Sequence, residues 1–133
     1  MNQEDKELLL KDLCCRLPYY TLVYLSNTME GFDSELSTAE IEFLINNEYM
    51  VKPYLFPLSS MTEEQKEELK DLTRKEMEII TDQLKTGNCG IDNGKYHFNN
   101  ILELNWLNEN NFDYRGLISK GLAIDCTGLN IYV

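Results

Sequence analysis

"YMVKPYLFPL", residues 49–58, decides how the first half of the chain is read. Each proline pushes the residue before it out of the α region, so this stretch must be extended. Pro53 and Pro57 also have no N–H to give to a ladder, which predicts an edge strand or a strand exit.

Working back from it, "AEIEFLI" (39–45) alternates in part and fits a strand or a short helix, of which the strand is the expectation here. "NTMEGFDSE" (27–35) reads as a loop, and "YYTLVYL" (19–25) is β-branched and aromatic, a strand signal. Residues 19–58 thus predict a small antiparallel sheet. Ahead of it, residues 2–17 predict a helix. Asn2 can cap it, acids occupy the first turn, and Pro18 stops it. Leu10, Leu13, Cys14 and Leu17 recur with the helical period, which makes Cys14 a small core residue.

Working forward, Thr62 and Gln65 form a capping box ahead of a long helix over 62–85, with Gly87 as its C′ residue. Leu69, Leu72, Met77, Ile79, Ile80 and Leu84 supply its apolar face. Asn93-Gly94 predicts a hairpin turn. A further helix follows, capped by Asn99 or Asn100, with Ile101, Leu104, Trp106 and Leu107 as its apolar residues. Asp113 stands where an N-cap belongs, ahead of a short helix carrying Leu117 and Ile118 and ending at Gly121. "LAIDC" (122–126) reads as a closing strand. The expectation is a single α+β domain over 1–133, a small antiparallel sheet flanked by three to four helices.

The totals bound the function. The chain has 133 residues and 43% hydrophobic content, normal for a domain with a real core. There are 23 acids against 12 bases, for a net charge of −11. That sign repels nucleic acid and anionic membrane surfaces, and no three basic residues are adjacent to override it. It suits a soluble protein, a binder of basic partners or a mimic of nucleic acid. The start "MNQEDKELLL" lacks a signal peptide's basic and apolar regions, and no stretch is apolar enough to span a bilayer. Cys14, Cys15, Cys89 and Cys126 form no C-x-x-C and are expected as free thiols in the cytoplasm.

Catalytic spacings are missing. There is no H-E-x-x-H, phosphate-binding glycine loop or G-x-S-x-G elbow, so no metal or cofactor is expected. His97 is the single histidine, and a base needs a placed partner. In "NNFDYRGLISKGLAIDC" (110–126), Asp113 caps, Phe112 and Tyr114 pack and Gly116 allows close approach. Arg115 has no compulsory structural duty. Rigid aromatics and arginine dominate binding surfaces, so Tyr54, Phe56, Tyr114 and Arg115 are the candidate partner surface.

"VKPYLFPLSSMTEEQKEELKDL", "WLNENNFDYRGLISKGLAI" and "EDKELLLKDLCCRLPYY" together resemble a family of small uncharacterised proteins. These come from Bacteroides-type gut bacteria, their phages and mobile elements. Phe56 stands where that family usually has arginine, and Asn110 and Asn111 where histidines often occur. The resemblance implies a small twisted β-barrel in the middle region and no named activity.

Two readings follow. The first is a non-enzymatic protein-binding module of phage or mobile-element origin with an exposed apolar patch. The second is a small-ligand binder or enzyme whose pocket gathers His97, Asp113 and Arg115.

Overall fold

The computed structural model describes residues 1–86, 91–92, 95–96 and 101–132, with side chains for 1–74 and 102–132. The elements are α1 (Gln3–Arg16), β1 (Leu22–Ser26), β2 (Gly31–Glu35), α2 (Thr38–Ile45) and β3 (Met50–Pro57), followed by a 3₁₀ turn at Leu58–Ser60. Then come α3 (Glu63–Thr86), β4 (Ile91–Asp92), β5 (Lys95–Tyr96), α4 (Ile101–Glu109), β6 (Phe112–Asp113) and β7 (Ile124–Asp125). They fall into two compact units, Met1–Ser60 with Leu107–Val133, and Met61–Trp106. The class is α+β, a small sheet with flanking helices.

In the first unit β1 lies between β2 and β3 and pairs antiparallel with both, while β6 and β7 both pair with β3 in parallel. The sheet is therefore mixed rather than antiparallel. Parallel neighbours need a crossover, which the chain between β3 and β6 supplies. The sheet is open and does not close into the barrel that the resemblance implies.

β3 is the hub of this sheet, which corrects the edge position expected from its prolines. The register pairs Val23 with Pro53 and Tyr24 with Lys52. Hydrogen-bonded and non-hydrogen-bonded pairs alternate in such a ladder. Leu22 turns its N–H toward β3, so Leu22, Tyr24 and Ser26 bond that way and Val23–Pro53 is a non-bonded pair. The missing N–H of Pro53 therefore costs no bond to β1. Where β1 and β3 diverge, the Tyr132 hydroxyl completes the ladder. It accepts from Leu22 N–H at 2.8 Å and donates to the Tyr54 carbonyl at 2.8 Å.

Residues 38–45 are helix, not strand. Ser37 caps α2: its hydroxyl accepts from Ala39 N–H at 3.3 Å and donates to the Glu40 carboxylate at 2.6 Å. Ser37-x-x-Glu40 is a capping-box spacing, a stronger signal than the partial alternation behind it. Ile41 and Leu44, three apart, then reach the core. The stretch expected as a loop over 27–35 ends in β2.

α1 is capped by Asn2, whose side chain accepts from Asp5 N–H at 2.7 Å. Its buried residues are Leu9, Asp12, Leu13 and Arg16, a stripe rotated from the expected one, and Cys14 is exposed. Two charged residues, paired with each other, occupy core positions here. Leu9 and Leu13 pack with Val23, Leu25, Val51, Leu55, Ile41, Leu44 and Leu117 in one core.

In the second unit the capping box of α3 is reciprocal. Gln65 N–H donates to Thr62 Oγ1 at 3.2 Å, and Thr62 N–H to Gln65 Oε1 at 2.8 Å. β4 and β5 pair antiparallel about positions 93–94. Gly87, Asn93-Gly94, His97 and the Asn99 or Asn100 cap lie outside the described residues, as does Cys89. Among the described residues no helix is long and apolar enough to cross a membrane.

Candidate functional site

The DYRG stretch is built into the first unit from both ends. Asp113 turns its carboxylate onto the next loop, where Oδ1 accepts from Leu117 N–H and Oδ2 from Ile118 N–H, both at 2.9 Å. It caps, as expected, but the capped segment is a turn over 117–121 rather than a short helix. Leu122 N–H already bonds Leu117 O at 2.9 Å, which closes the chain after one turn. Gly121 ends it at φ +72°, a conformation that favours glycine.

Arg115 points to α1. Its Nε lies 3.2 Å from Asp12 Oδ1, its Nη2 3.4 Å from Cys15 Sγ and 3.2 Å from the Tyr114 hydroxyl. Only 17% of its side chain is exposed. Burial works against the Arg115 charge, but Tyr114, Asp12 and Cys15 outweigh it and hold its pKa above the ordinary arginine value. Arg16 takes the same carboxylate from the other side and donates to the Phe112 carbonyl at 2.7 Å. The Tyr114 ring lies against both cations, 5.4 Å from Arg16 Cζ and 4.9 Å from Arg115 Cζ, and its hydroxyl donates to Asn108 Oδ1 at 2.9 Å. One carboxylate and one aromatic face thus compensate two guanidinium groups. This cluster ties α1 to the strand-and-turn after α4, and its polar atoms face inward.

Asn111 completes that junction. It takes φ +58°, its carbonyl accepts from Phe56 N–H at 2.8 Å, and its amide joins Thr21 Oγ1 at 2.6 Å and Tyr20 O at 3.1 Å.

The other two sequence candidates sit on β3. Tyr54 donates to Asp33 Oδ1 at 2.6 Å, and its hydroxyl is pushed up to about 12 by burial, reinforced by that carboxylate. Phe56 packs against Phe112 at 6.1 Å and Tyr132 at 5.9 Å between centroids. Both are half-buried. The structure joins Tyr114 to Arg115 and places Tyr54 and Phe56 on the outer face of the sheet. Of the proposed His97, Asp113 and Arg115 set, His97 is outside the described residues and the other two hold backbone and Asp12 respectively.

The accessible feature lies elsewhere. At the tip of the β1–β2 hairpin, Asn27 Oδ1 accepts from Met29 N–H at 2.8 Å and Glu30 N–H at 2.9 Å. That turn throws Met29 outward, 91% exposed. With Asn47, Glu48, Tyr49, Met50 and Lys52 it lines an open depression of about 760 Å³. Met50 is 38% exposed, and Phe32, 41% exposed, packs edge-on against Tyr49 at 5.6 Å. Tyr49 also donates to Glu30 Oε1 at 2.7 Å, a bond that raises its pKa. An apolar residue at a polar hairpin tip was the available sequence signal for this surface, and Met29 stood inside a stretch read only as loop.

Among the described residues no group of three or more His, Cys, Asp and Glu could hold a metal ion. The described cysteines, Cys14, Cys15 and Cys126, are free thiols. No family model, no curated protein and no solved structure matches the chain.

Proposed function

We propose that this protein is a non-enzymatic binding module that docks a basic, apolar-anchored segment of a partner protein at the hairpin-tip depression. The observation that carries this reading is the exposure of Met29 and Met50 in one open concavity, with Phe32 exposed beside its Tyr49 wall. Methionine adapts its shape to a partner at little cost, and the chain spends two of them here. Glu30 and Glu48 flank the site and the net charge is −11, which favours a basic partner by steering and by specificity. Arg115, Tyr114 and Asp113 support the reading from the other side, since they turn to Asp12 and Cys15, to Asn108 and to the 117–118 backbone within the fold. The resemblance to small proteins of Bacteroides-type bacteria and phages supports a host or phage protein as the partner, met in the cytoplasm.

The test is capture of partners by tagged parent protein and by a Met29→Asp/Met50→Asp variant, compared by mass spectrometry. A protein retained stoichiometrically by the parent and lost by the variant supports the reading. Identical captures by both overturn it.

A further inference from the structure

β2 is the outer strand of the sheet, and the geometry of its ladder shows what its free edge offers. Asn27 N–H bonds Glu30 O at 2.9 Å, and Leu36 N–H bonds Thr21 O at 2.8 Å, one at each end of the hairpin. With Val23 opposite Ser34 and Leu25 opposite Phe32, these fix the bonded pairs as 21/36, 23/34, 25/32 and 27/30. Glu30, Phe32, Ser34 and Leu36 therefore spend their backbone groups on β1. Gly31, Asp33 and Glu35 turn theirs away from it, to the open edge. All three are exposed, and among the described residues the hydrogen bond to their outward backbone groups is that of the Ser34 hydroxyl on Glu35 O at 3.4 Å.

The side chains on this edge have a pattern. Asp33 and Glu35 lie on the outer face with Tyr24, the residue opposite Asp33, whose hydroxyl occupies the space a Cβ on Gly31 would need. Phe32 lies on the opposite face, 41% exposed. β2 carries no basic residue. Pairing with a second copy of β2 would set acids against acids, which is disfavoured across a strand pair. A strand with the opposite charges meets no such penalty.

We infer that β2 accepts an extended partner segment as a sixth strand, and that this segment reads basic–apolar–basic along its length. The basic side chains would stand on the outer face beside Asp33 and Glu35, and the apolar one beside Phe32. The backbone supplies affinity and the alternating side chains specificity. Met29 lines the depression and lies two residues before β2, so a segment following the edge passes the hairpin tip that borders it. This inference rests on the proposed binding function and names the chemistry of its partner.

The experiment is fluorescence anisotropy with a labelled peptide alternating lysine and valine. Controls are a glutamate–valine peptide and a lysine–valine peptide N-methylated along one edge, which keeps its charges but cannot pair with β2. Glu35→Pro removes an outward N–H without touching the β1 ladder, and Glu35→Gln separates the charge from the backbone. The lysine–valine peptide is expected to bind, to lose at least about tenfold on N-methylation, and to lose more to Glu35→Pro than to Glu35→Gln. Undiminished binding of the N-methylated peptide would overturn strand addition. If that binding still falls in the Met29→Asp/Met50→Asp variant, the docking reading survives without it. Equal binding of the glutamate peptide, or no binding of any peptide, also overturns the inference, while partner capture by the parent protein remains a separate readout.

Discussion

Asp12 and Arg16 stand one helical turn apart on α1 and form a wholly buried two-point ion pair, Nε to Oδ2 at 2.8 Å and Nη2 to Oδ1 at 3.1 Å. Arg16 also reaches the Phe112 carbonyl, so one side chain fastens the first helix to the last part of the chain. Removing one partner of such a pair leaves a buried charge uncompensated. Asp12→Ala is expected to cost about 3–5 kcal/mol in urea unfolding. A loss under about 1 kcal/mol, the range of surface pairs, would show that the pair does not fasten the fold. Adding Arg16→Met to Asp12→Ala should recover part of the loss.

Asp113 holds two backbone N–H groups at once, those of Leu117 and Ile118. By analogy with N-cap deletions, Asp113→Ala should cost about 1–2 kcal/mol, and Asp113→Asn less, since it keeps one acceptor. Amide exchange gives the local readout. The Leu117 and Ile118 amides should exchange faster in the alanine variant, and unchanged rates would exclude the capping role.

Tyr132→Phe removes the hydroxyl that bridges Leu22 and Tyr54 and leaves both backbone groups without it. The expected cost is about 1–3 kcal/mol, the penalty for stranding buried polar groups. The ring's packing on Tyr20 and Phe56 is retained in this variant, so the loss reports the hydroxyl. A neutral substitution would mean that water fills the gap.

Alkaline pH should weaken the fold through its tyrosines. Burial, then the Asp33 bond, pushes the Tyr54 hydroxyl from 10.0 up to about 12. The folded state therefore holds its proton longer than the unfolded chain. Its contribution is complete below pH 10.0 and is lost as pH rises toward about 12. Unfolding stability followed across that window should fall, and Tyr54→Phe should make the fall shallower. An unchanged slope in the variant would assign the alkaline loss to other groups.

The thiols should separate by burial. Cys126 is buried and its thiol is pushed up to about 11 by desolvation, while Cys14 is exposed and Cys15 half-buried. At neutral pH an aromatic disulfide reagent should modify Cys14 in the native protein and reach Cys126 only on unfolding. Early modification of Cys126, located by peptide mapping, would contradict its placement in the core.

Much of this fold is local and was legible in the chain. Asn2 capping α1, the Thr62/Gln65 box and the cap at Asp113 follow from short-range chemistry, because partner and donor lie within five residues, and the strand at 22–26 follows from its β-branched and aromatic residues. The extended character of 49–58 was equally fixed by its prolines. Its place in the sheet was not, since a proline forbids only the bond its own N–H would make. Val23 opposite Pro53 avoids that bond, and only the register of three distant strands shows it.

Residues 38–45 could have been read from Ser37 and Glu40, but partial alternation competes with a capping box over so short a stretch. The charged residues were less accessible still. Asp12 and Arg16 belong to types that are rarely buried, and it is Arg115, Tyr114 and the Phe112 carbonyl, about a hundred positions away, that make their burial tolerable. The candidate surface divides the same way. The sequence determined that aromatics and methionines were plentiful and the charge acidic. Tertiary structure joined Tyr114 and Arg115 to the Asp12 cluster, set Tyr54 and Phe56 half-buried on the outer face of the sheet and left Met29, Phe32 and Met50 exposed, because exposure depends on where each strand and turn comes to lie in the sheet, and no local pattern encodes that.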